Sequence, residues 1–244
     1  MSNISYVSLS QATALERSLN MTAHNLANAS TEGFKSIHPL FESVEDQASE
    51  SGISYVEDRG TYLELKEGAL TPTGNPFDIA LAGNGWMSFQ LEGGATGYSR
   101  HGRLVLDTDG QLKTASGRPV LDAGGGPVTL PDGVGQDVTI TSDGTITDST
   151  GALLGTIGVV IIEQGAAMLS LGGGMYQLPD TAAAPQQSTD PKVKQGFVEG
   201  SNVEAVLEMT RLIDIQRAYE NSVKLMNQDD ELTKTVIQRL GRTS

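Results

Sequence analysis

The sequence predicts an α+β fold in which an N-terminal and a C-terminal helix pair with each other and a central antiparallel all-β domain lies between them. Three observations lead there. Most of the 29 glycines fall between Gly68 and Gly174, which leaves helix-permissive ends around a turn-rich middle. Both ends carry a stripe that recurs at alternating steps of four and three. In the middle, Asp-Gly pairs sit between short runs of β-branched alternation, a strong short-range hairpin signal.

Residues 1–35 hold the first helix. Ser8, Ala12, Leu15, Leu19, Thr22, Leu26 and Ala29 make its stripe, thin and rich in small residues. A helix of about 25 residues with so little apolar surface is marginal alone and needs a partner. It runs out in "NLANASTEGFK" (25–35), which holds two asparagines spaced by three, then Ser-Thr-Glu-Gly, an aromatic residue and a lysine. No nucleophile, metal ligand set or phosphate cradle is visible there. Residues 36–75 read as an extended connecting segment.

Residues 76–184 read as the β domain. "PFDIALAGNGWMSFQLEGG" alternates apolar and small residues around Gly83-Asn84-Gly85. Asp109-Gly110 separates "RLVL" from "QLKT", and Asp143-Gly144 separates "VTIT" from "TITD". The Pro/Ala/Gln tract "PDTAAAPQQSTDPK" then leaves the domain, so residues 185–200 are expected to be a linker.

Residues 201–244 are the clearest helix, free of glycine and proline from 201 to 240. Ala205, Met209, Leu212, Gln216, Tyr219, Val223, Met226, Asp230, Thr233, Ile237 and Leu240 form a heptad seam, apolar except at Gln216, Asp230 and Thr233. Ser201 or Asn202 can cap its start, with Glu204 in the first turn. Such a helix would be about 60 Å long. Two stripes at opposite ends favour a coiled coil between them, against the alternative of two amphipathic helices packed on an ordinary core.

Composition narrows the function. The net charge is −14, and no lysine or arginine occurs between Arg118 and Lys192. Nucleic acids and anionic membrane surfaces are bound mainly through Lys and Arg, so neither is an expected partner. With no cysteine, disulfides and thiolate chemistry are excluded. The opening residues lack a cationic n-region and a continuous apolar core, so no secretory signal peptide is expected. No apolar run approaches a membrane span. The default location is therefore the cytoplasm.

Candidate chemistry is sparse. Asp107-Thr108-Asp109-Gly110 resembles the start of a calcium loop, but its twelfth position is Arg118 rather than Glu, which favours a plain turn. Gly83-Asn84-Gly85 and the two Gly-Gly-Gly runs lack the helix and lysine of a phosphate loop. His24, His38 and His101 have no metal-ligand spacing, and there is no Gly-x-Ser-x-Gly elbow. Trp86 reads as core packing or a strand-edge anchor. No catalytic residue, metal or cofactor is expected.

"NLANASTEGFK" resembles the signature of the bacterial flagellar rod family of axial proteins, Asn-Asn-Leu-Ala-Asn followed by Thr-x-Gly-Phe-Lys, with His24 standing at the usual first Asn. "DRGTYLELKEGALTPTGNPFDIALAGNGW" (58–86) is similar to the family's entry into the central domain, and "GYSRHGRLVLDTDGQLKT" (97–114) to its Tyr-x-Arg-x-Gly hairpin region. "KQGFVEGSNVEAVLEMTRLIDIQRAYE" (194–220) resembles its C-terminal block. Within the family, "YVSLSQATALERSL" (6–19), "DRGTY" and the form at 195–202 look most like proximal-rod members, ahead of distal-rod and hook-type members.

The resemblance implies a structural subunit of a tubular drive shaft, its terminal helices paired as an antiparallel coiled coil. Leu15, Leu19, Leu26, Met209, Leu212, Tyr219, Val223 and Met226 would bury the pair. The implied partners are copies of itself, other rod subunits and surrounding basal-body ring proteins. It also moves the location to the flagellar basal body, reached through the flagellum's own type III export channel without a cleaved signal. Asn25, Asn28, Thr31, Gly33 and Phe34 then read as a structured helix exit. Asn tolerates a left-handed helix end and bonds nearby backbone, Gly33 permits the reversal, and Phe34 anchors the turned chain. A rigid exit would fix the angle between helices and β domain, and Gly33→Val would leave the isolated β domain folded while abolishing assembly. The rival readings are a secreted β-rich adhesin or carbohydrate-active enzyme, which would call for clustered carboxylates, and a cytoplasmic oligomeric binding module.

Overall fold

No glycine precedes Gly33 and no proline precedes Pro39, and the first 25-residue element is helix α1 (Asn3–Ala27). The computed structural model describes residues 3–45, 54–131, 134, 137–163 and 167–240. Two longer strands follow α1, β1 (Ile37–Glu45) and β2 (Ser54–Leu63). Short strands come next: β3 (Leu70–Pro72), β4 (Ile79–Ala82), β5 (Gly85–Gln90), β6 (Thr96–Ser99), β7 (Leu104–Leu106) and β8 (Leu112–Thr114). They continue through β9 (Thr139–Ile140), β10 (Thr145–Thr147), β11 (Leu153–Thr156), β12 (Val159–Ile161), β13 (Leu169–Gly172) and β14 (Met175–Gln177). The last are β15 (Gln186–Gln187), β16 (Lys192–Gln195) and β17 (Phe197–Glu199), before helix α2 (Ala205–Leu240). Two units result, one from Met1–Ala27, Ile37–Tyr62 and Glu204–Ser244, the other from Asn28–Ser36 and Leu63–Val203.

In the helical unit α1 and α2 are in contact and run in opposite directions. The Ser222 hydroxyl donates to the Ser8 carbonyl at 3.0 Å, and the Asn25 side-chain amide reaches the Glu208 carboxylate at 3.5 Å. Ser8, Ala12 and Thr22 of α1 and Ser222 of α2 are buried, and such small side chains let the two backbones approach closely. Leu15, Leu19, Leu26, Leu212, Tyr219, Val223 and Met226 are half-buried. Met209 departs from the expected seam. It is 46% exposed, while Glu208 beside it is only 5% exposed and is held by Arg211 at 2.5 Å as well as by Asn25. Half of the expected seam on α2 therefore lies one residue too late, because the close contact admits small or hydrogen-bonded side chains rather than the bulkiest apolar ones. Ser222→Leu is expected to overpack this contact and destabilise the helix pair by about 1–3 kcal/mol, seen as a lower urea midpoint in the helical circular dichroism signal. Strands β1 and β2 pair into a ribbon, and α1 packs on β1.

The other unit is antiparallel β throughout the strand pairs that define its sheets. A six-stranded sheet runs β13-β14-β6-β5-β12-β15, with a three-stranded sheet β11-β10-β9 and the pairs β7-β8, β16-β4 and β17-β3. Both Asp-Gly turns are hairpins as expected: Leu106 pairs with Leu112 across Asp109-Gly110, and Ile140 with Ile146 across Asp143-Gly144. The calcium-like Asp107 spends its carboxylate on the turn itself, accepting the Asp109 and Gln111 amides at 2.9 and 2.8 Å. Side chains alternate across β5, so Met87 and Phe89 enter a core with Ile79, Leu81, Leu104 and Leu112, while Trp86 enters a second cluster with Tyr98, Val160 and Tyr176. Trp86 meets Tyr176 edge-on at 5.5 Å.

The flanks differ from their expected roles. Residues 36–75 contribute β1 and β2 to the helical unit and β3 to the β unit. Residues 185–200, expected as a linker, supply three strands: Gln186 pairs with Ile161, Lys192–Gln195 run along Ala82–Ile79, and Phe197–Glu199 along Pro72–Leu70. The partners of β16 and β17 are distant in sequence, so no short-range pattern marks them.

Candidate functional site

In the helical unit, Asn25 is buried at the end of α1 and binds both backbone groups of Ile37. Its Oδ1 accepts the Ile37 N–H and its Nδ2 donates to the Ile37 carbonyl, each at 2.9 Å. The side chain thereby stands in for a strand partner and starts β1.

In the β unit, Thr31 closes a turn on Asn28, its N–H donating to the Asn28 carbonyl and its hydroxyl to Asn28 Oδ1, both at 3.1 Å. Gly33 has φ +67°, and a Cβ there would lie 2.4 Å from the Arg100 carbonyl carbon and the His101 nitrogen. Its N–H donates to the Glu199 carbonyl at 2.8 Å. Glycine is thus required twice, for the left-handed conformation and for the close approach. Among the described residues no non-glycine has positive φ, so the asparagines act through side-chain bonds and not through a left-handed helix end. Phe34 is buried, and its carbonyl accepts the Asn202 N–H at 3.3 Å. Asn202 does not cap α2. Its Oδ1 accepts the Ser36 N–H at 2.8 Å and its Nδ2 donates to the Glu64 carbonyl at 2.8 Å, while Ser201 Oγ accepts the Val203 N–H at 3.1 Å.

Behind this turn lies a buried charge cluster. Lys35 Nζ meets Glu199 Oε1 at 2.8 Å and donates to the Lys66 carbonyl at 2.5 Å, and Arg100 Nε meets Glu199 Oε2 at 2.6 Å. The remaining Arg100 donors reach three carbonyls, Gly83 and Gly85 at 2.7 Å and Leu81 at 2.6 Å. Glu199 Oε1 also accepts the Gly68 N–H at 2.9 Å. Two cations share one carboxylate, and the carbonyls supply the remaining negative potential. Burial holds the Lys35 ammonium below the ordinary lysine range, against the hydrogen bond and charge of Glu199. The Tyr176 hydroxyl donates to the Lys35 carbonyl at 3.1 Å, and burial pushes its pKa up to about 12. At Gly102 a Cβ would overlap the Ile79 carbonyl oxygen at 1.6 Å, so only glycine fits there.

Lys35, Arg100 and Glu199 lie inside the sequence motifs, where nothing local marks them as partners of one another. Each lies one or two residues after an aromatic residue, in Phe34-Lys35, Tyr98-Ser99-Arg100 and Phe197-Val198-Glu199. Of the three histidines, His101 faces Glu32 at 3.5 Å, where burial lowers its pKa, and the His38 ring lies tilted against Tyr62 at 5.5 Å. Among the described residues, no group of three or more His, Cys, Asp or Glu is placed to hold a metal ion, and no helix is long and apolar enough to cross a membrane.

The outer surface of α2 is the other candidate. Val206, Leu207, Ile213, Leu225, Leu232 and Val236 are exposed, as are all residues from 231 to 240. An apolar face of this extent on a helix marks an interaction surface.

Three family models match the sequence: "Flagella basal body rod protein" over residues 6–35, "Flagellar hook protein FlgE/F/G D1 domain" over 80–148, and "Flagellar basal body rod FlgEFG protein C-terminal" over 194–239. Each matched span supplies one member of the charge cluster, Lys35, Arg100 and Glu199. The chain is 38% identical to the flagellar basal-body rod protein FlgF of Caulobacter vibrioides, over 99% of both chains. It is 38% identical to FlgF of Mesorhizobium japonicum over 98% of both. It is 30% identical to the rod protein FlgG of Agrobacterium fabrum, over 93% of this chain and 95% of that one.

Proposed function

The chain belongs to the flagellar basal-body rod protein family, and from that premise we propose that it is a structural subunit of the proximal rod, one level of the tube that transmits torque from motor to filament. The observation that carries this is 38% identity over 99% of both chains to the flagellar basal-body rod protein FlgF of Caulobacter vibrioides. The relatives are named as flagellar rod proteins, which supports a structural rather than an enzymatic role.

The terminal helices pair as an antiparallel coiled coil, and neighbouring subunits pack these pairs around the axis. Residues 1–35 and 201–244 are then the axial segments. A subunit whose two contacting patches differ makes a heterologous interface, which propagates as a ring or helical array. The small side chains of the α1–α2 contact leave the bulkier Met209, Ile213 and Leu225 outside, where neighbouring subunits cover them. Copies of itself, adjacent rod subunits and the enclosing ring proteins are the partners, and the flagellar export channel delivers the chain without a cleaved signal. A distal-rod role is the second reading, supported by the 30% identity to FlgG.

Deleting the gene is expected to abolish motility and leave basal bodies with a truncated rod in electron micrographs, both restored by the full chain. The position of the truncation separates proximal from distal. Intact rods and normal swimming in the deletion strain would overturn the proposal.

A further inference from the structure

The two helices have unequal lengths, 25 and 36 residues. Ser8, near the start of α1, already meets Ser222, so the last turns of α2 run past the end of α1. All residues from 231 to 240 are exposed, and Leu232, Val236 and Ile237 are 66%, 53% and 64% so. Val236 continues, at heptad spacing, the row of Glu208, Ser222 and Asp229 that is covered further back, and Leu232 and Ile237 flank it, so the inner row of α2 extends here without its cover.

The same unit contains an apolar groove of about 350 Å³ between α1 and the β1–β2 ribbon, lined by Tyr6, Leu9, Thr13, Phe41, Tyr55 and Val56. Because α2 is one unbroken helix, its far end cannot fold back into the groove of its own molecule. The charges match across the two surfaces. Residues 231–240 carry Lys234 and Arg239 against Glu231, a surplus of one positive charge. The ribbon carries Glu42, Glu45, Glu57 and Asp58 against Arg59, and Arg17 of α1 lines the groove and pairs with Asp58, which leaves the acceptor surface a surplus of two negative charges.

We propose that the projecting end of α2, centred on Leu232, Val236 and Ile237, docks into the α1–ribbon groove of a second copy of this chain. The proposal rests on the rod-subunit reading and specifies which two surfaces meet. Donor and acceptor patches differ, so each copy offers one of each and the contact propagates from subunit to subunit. The groove's aromatic walls take the aliphatic side chains, and the basic end of the helix lies along the acidic ribbon.

The absence of native cysteine gives a direct test. Two differently tagged full-length copies, one Leu9→Cys and one Val236→Cys, are expressed together in the deletion strain and exposed to mild oxidant. The expected product is a disulfide between the two tags, about tenfold above the yield with Leu153→Cys, an exposed site in the β unit, as the partner. Adding Ile237→Asp to the Val236→Cys copy is expected to reduce it by about tenfold. All substituted side chains are exposed, and an unchanged circular dichroism spectrum checks that the fold is kept. A yield no higher than the Leu153→Cys control, or a cross-link from Val236→Cys to a chain of different mass, would overturn the docking. Neither result would touch the rod-subunit reading, which stands or falls on the deletion phenotype alone.

Discussion

Glu199→Ala is expected to lower the unfolding free energy by about 3–5 kcal/mol, the cost of stranding buried charges without their counter-ion. Lys35 and Arg100 would each lose a charged partner at under 3 Å while remaining buried. Their bonds to the carbonyls of Lys66, Leu81, Gly83 and Gly85 would survive, but neutral dipoles do not replace a carboxylate. Urea unfolding of the full chain, followed through the fluorescence of Trp86, measures it, because this sole tryptophan sits in the core of the same unit. Glu199→Gln should cost less, since its single carbonyl oxygen can still accept one of the two bonds. A loss below about 1 kcal/mol on Glu199→Ala would mean that the pair behaves as an exposed one. In a double-mutant cycle, Lys35→Met and Glu199→Ala should be non-additive by about 0.5–3 kcal/mol.

Gly33→Val should be similarly severe, and Gly33→Ala nearly as bad. The left-handed backbone alone costs a non-glycine residue about 1–3 kcal/mol. The offending atom is Cβ itself, 2.4 Å from backbone atoms of Arg100 and His101, so any side chain meets it and the neighbour cannot rotate away. The overlap adds about 1–3 kcal/mol. The sequence suggested a lesion that would spare the β domain and abolish only assembly. The structure assigns Gly33 to the β unit, bonded to Glu199, so both variants should shift the Trp86 unfolding midpoint as well as halt swimming. Wild-type stability in Gly33→Ala would refute the close approach.

Much of the architecture was legible because it is local. Freedom from glycine and proline together with a 3.5-residue stripe marks the two helices, and Asp-Gly between alternating runs marks the β7–β8 and β9–β10 hairpins. The exit motif, whose Gly33 has a positive φ, was visible as a stretch without chemistry of its own. Its anchors were not. The sequence offers Ser201 or Asn202 as a helix cap because both precede α2, whereas the Asn202 amide binds Ser36 and Glu64.

The sequence by itself determined the family, the helical ends, the turn-rich middle and the lack of a cationic surface, because composition, spacing and turn chemistry act over a few residues. Only the tertiary structure decided that β16 and β17 belong to the β unit, that Lys35, Arg100 and Glu199 converge, and that Glu208 rather than Met209 lies inside. A hydrophobic period shows that a helix has an apolar face but not what covers it. Here the buried centre of the contact is small and hydrogen-bonded, Leu212, Tyr219, Val223 and Met226 are half-buried, and Val206, Leu207, Met209, Ile213 and Leu225 are exposed.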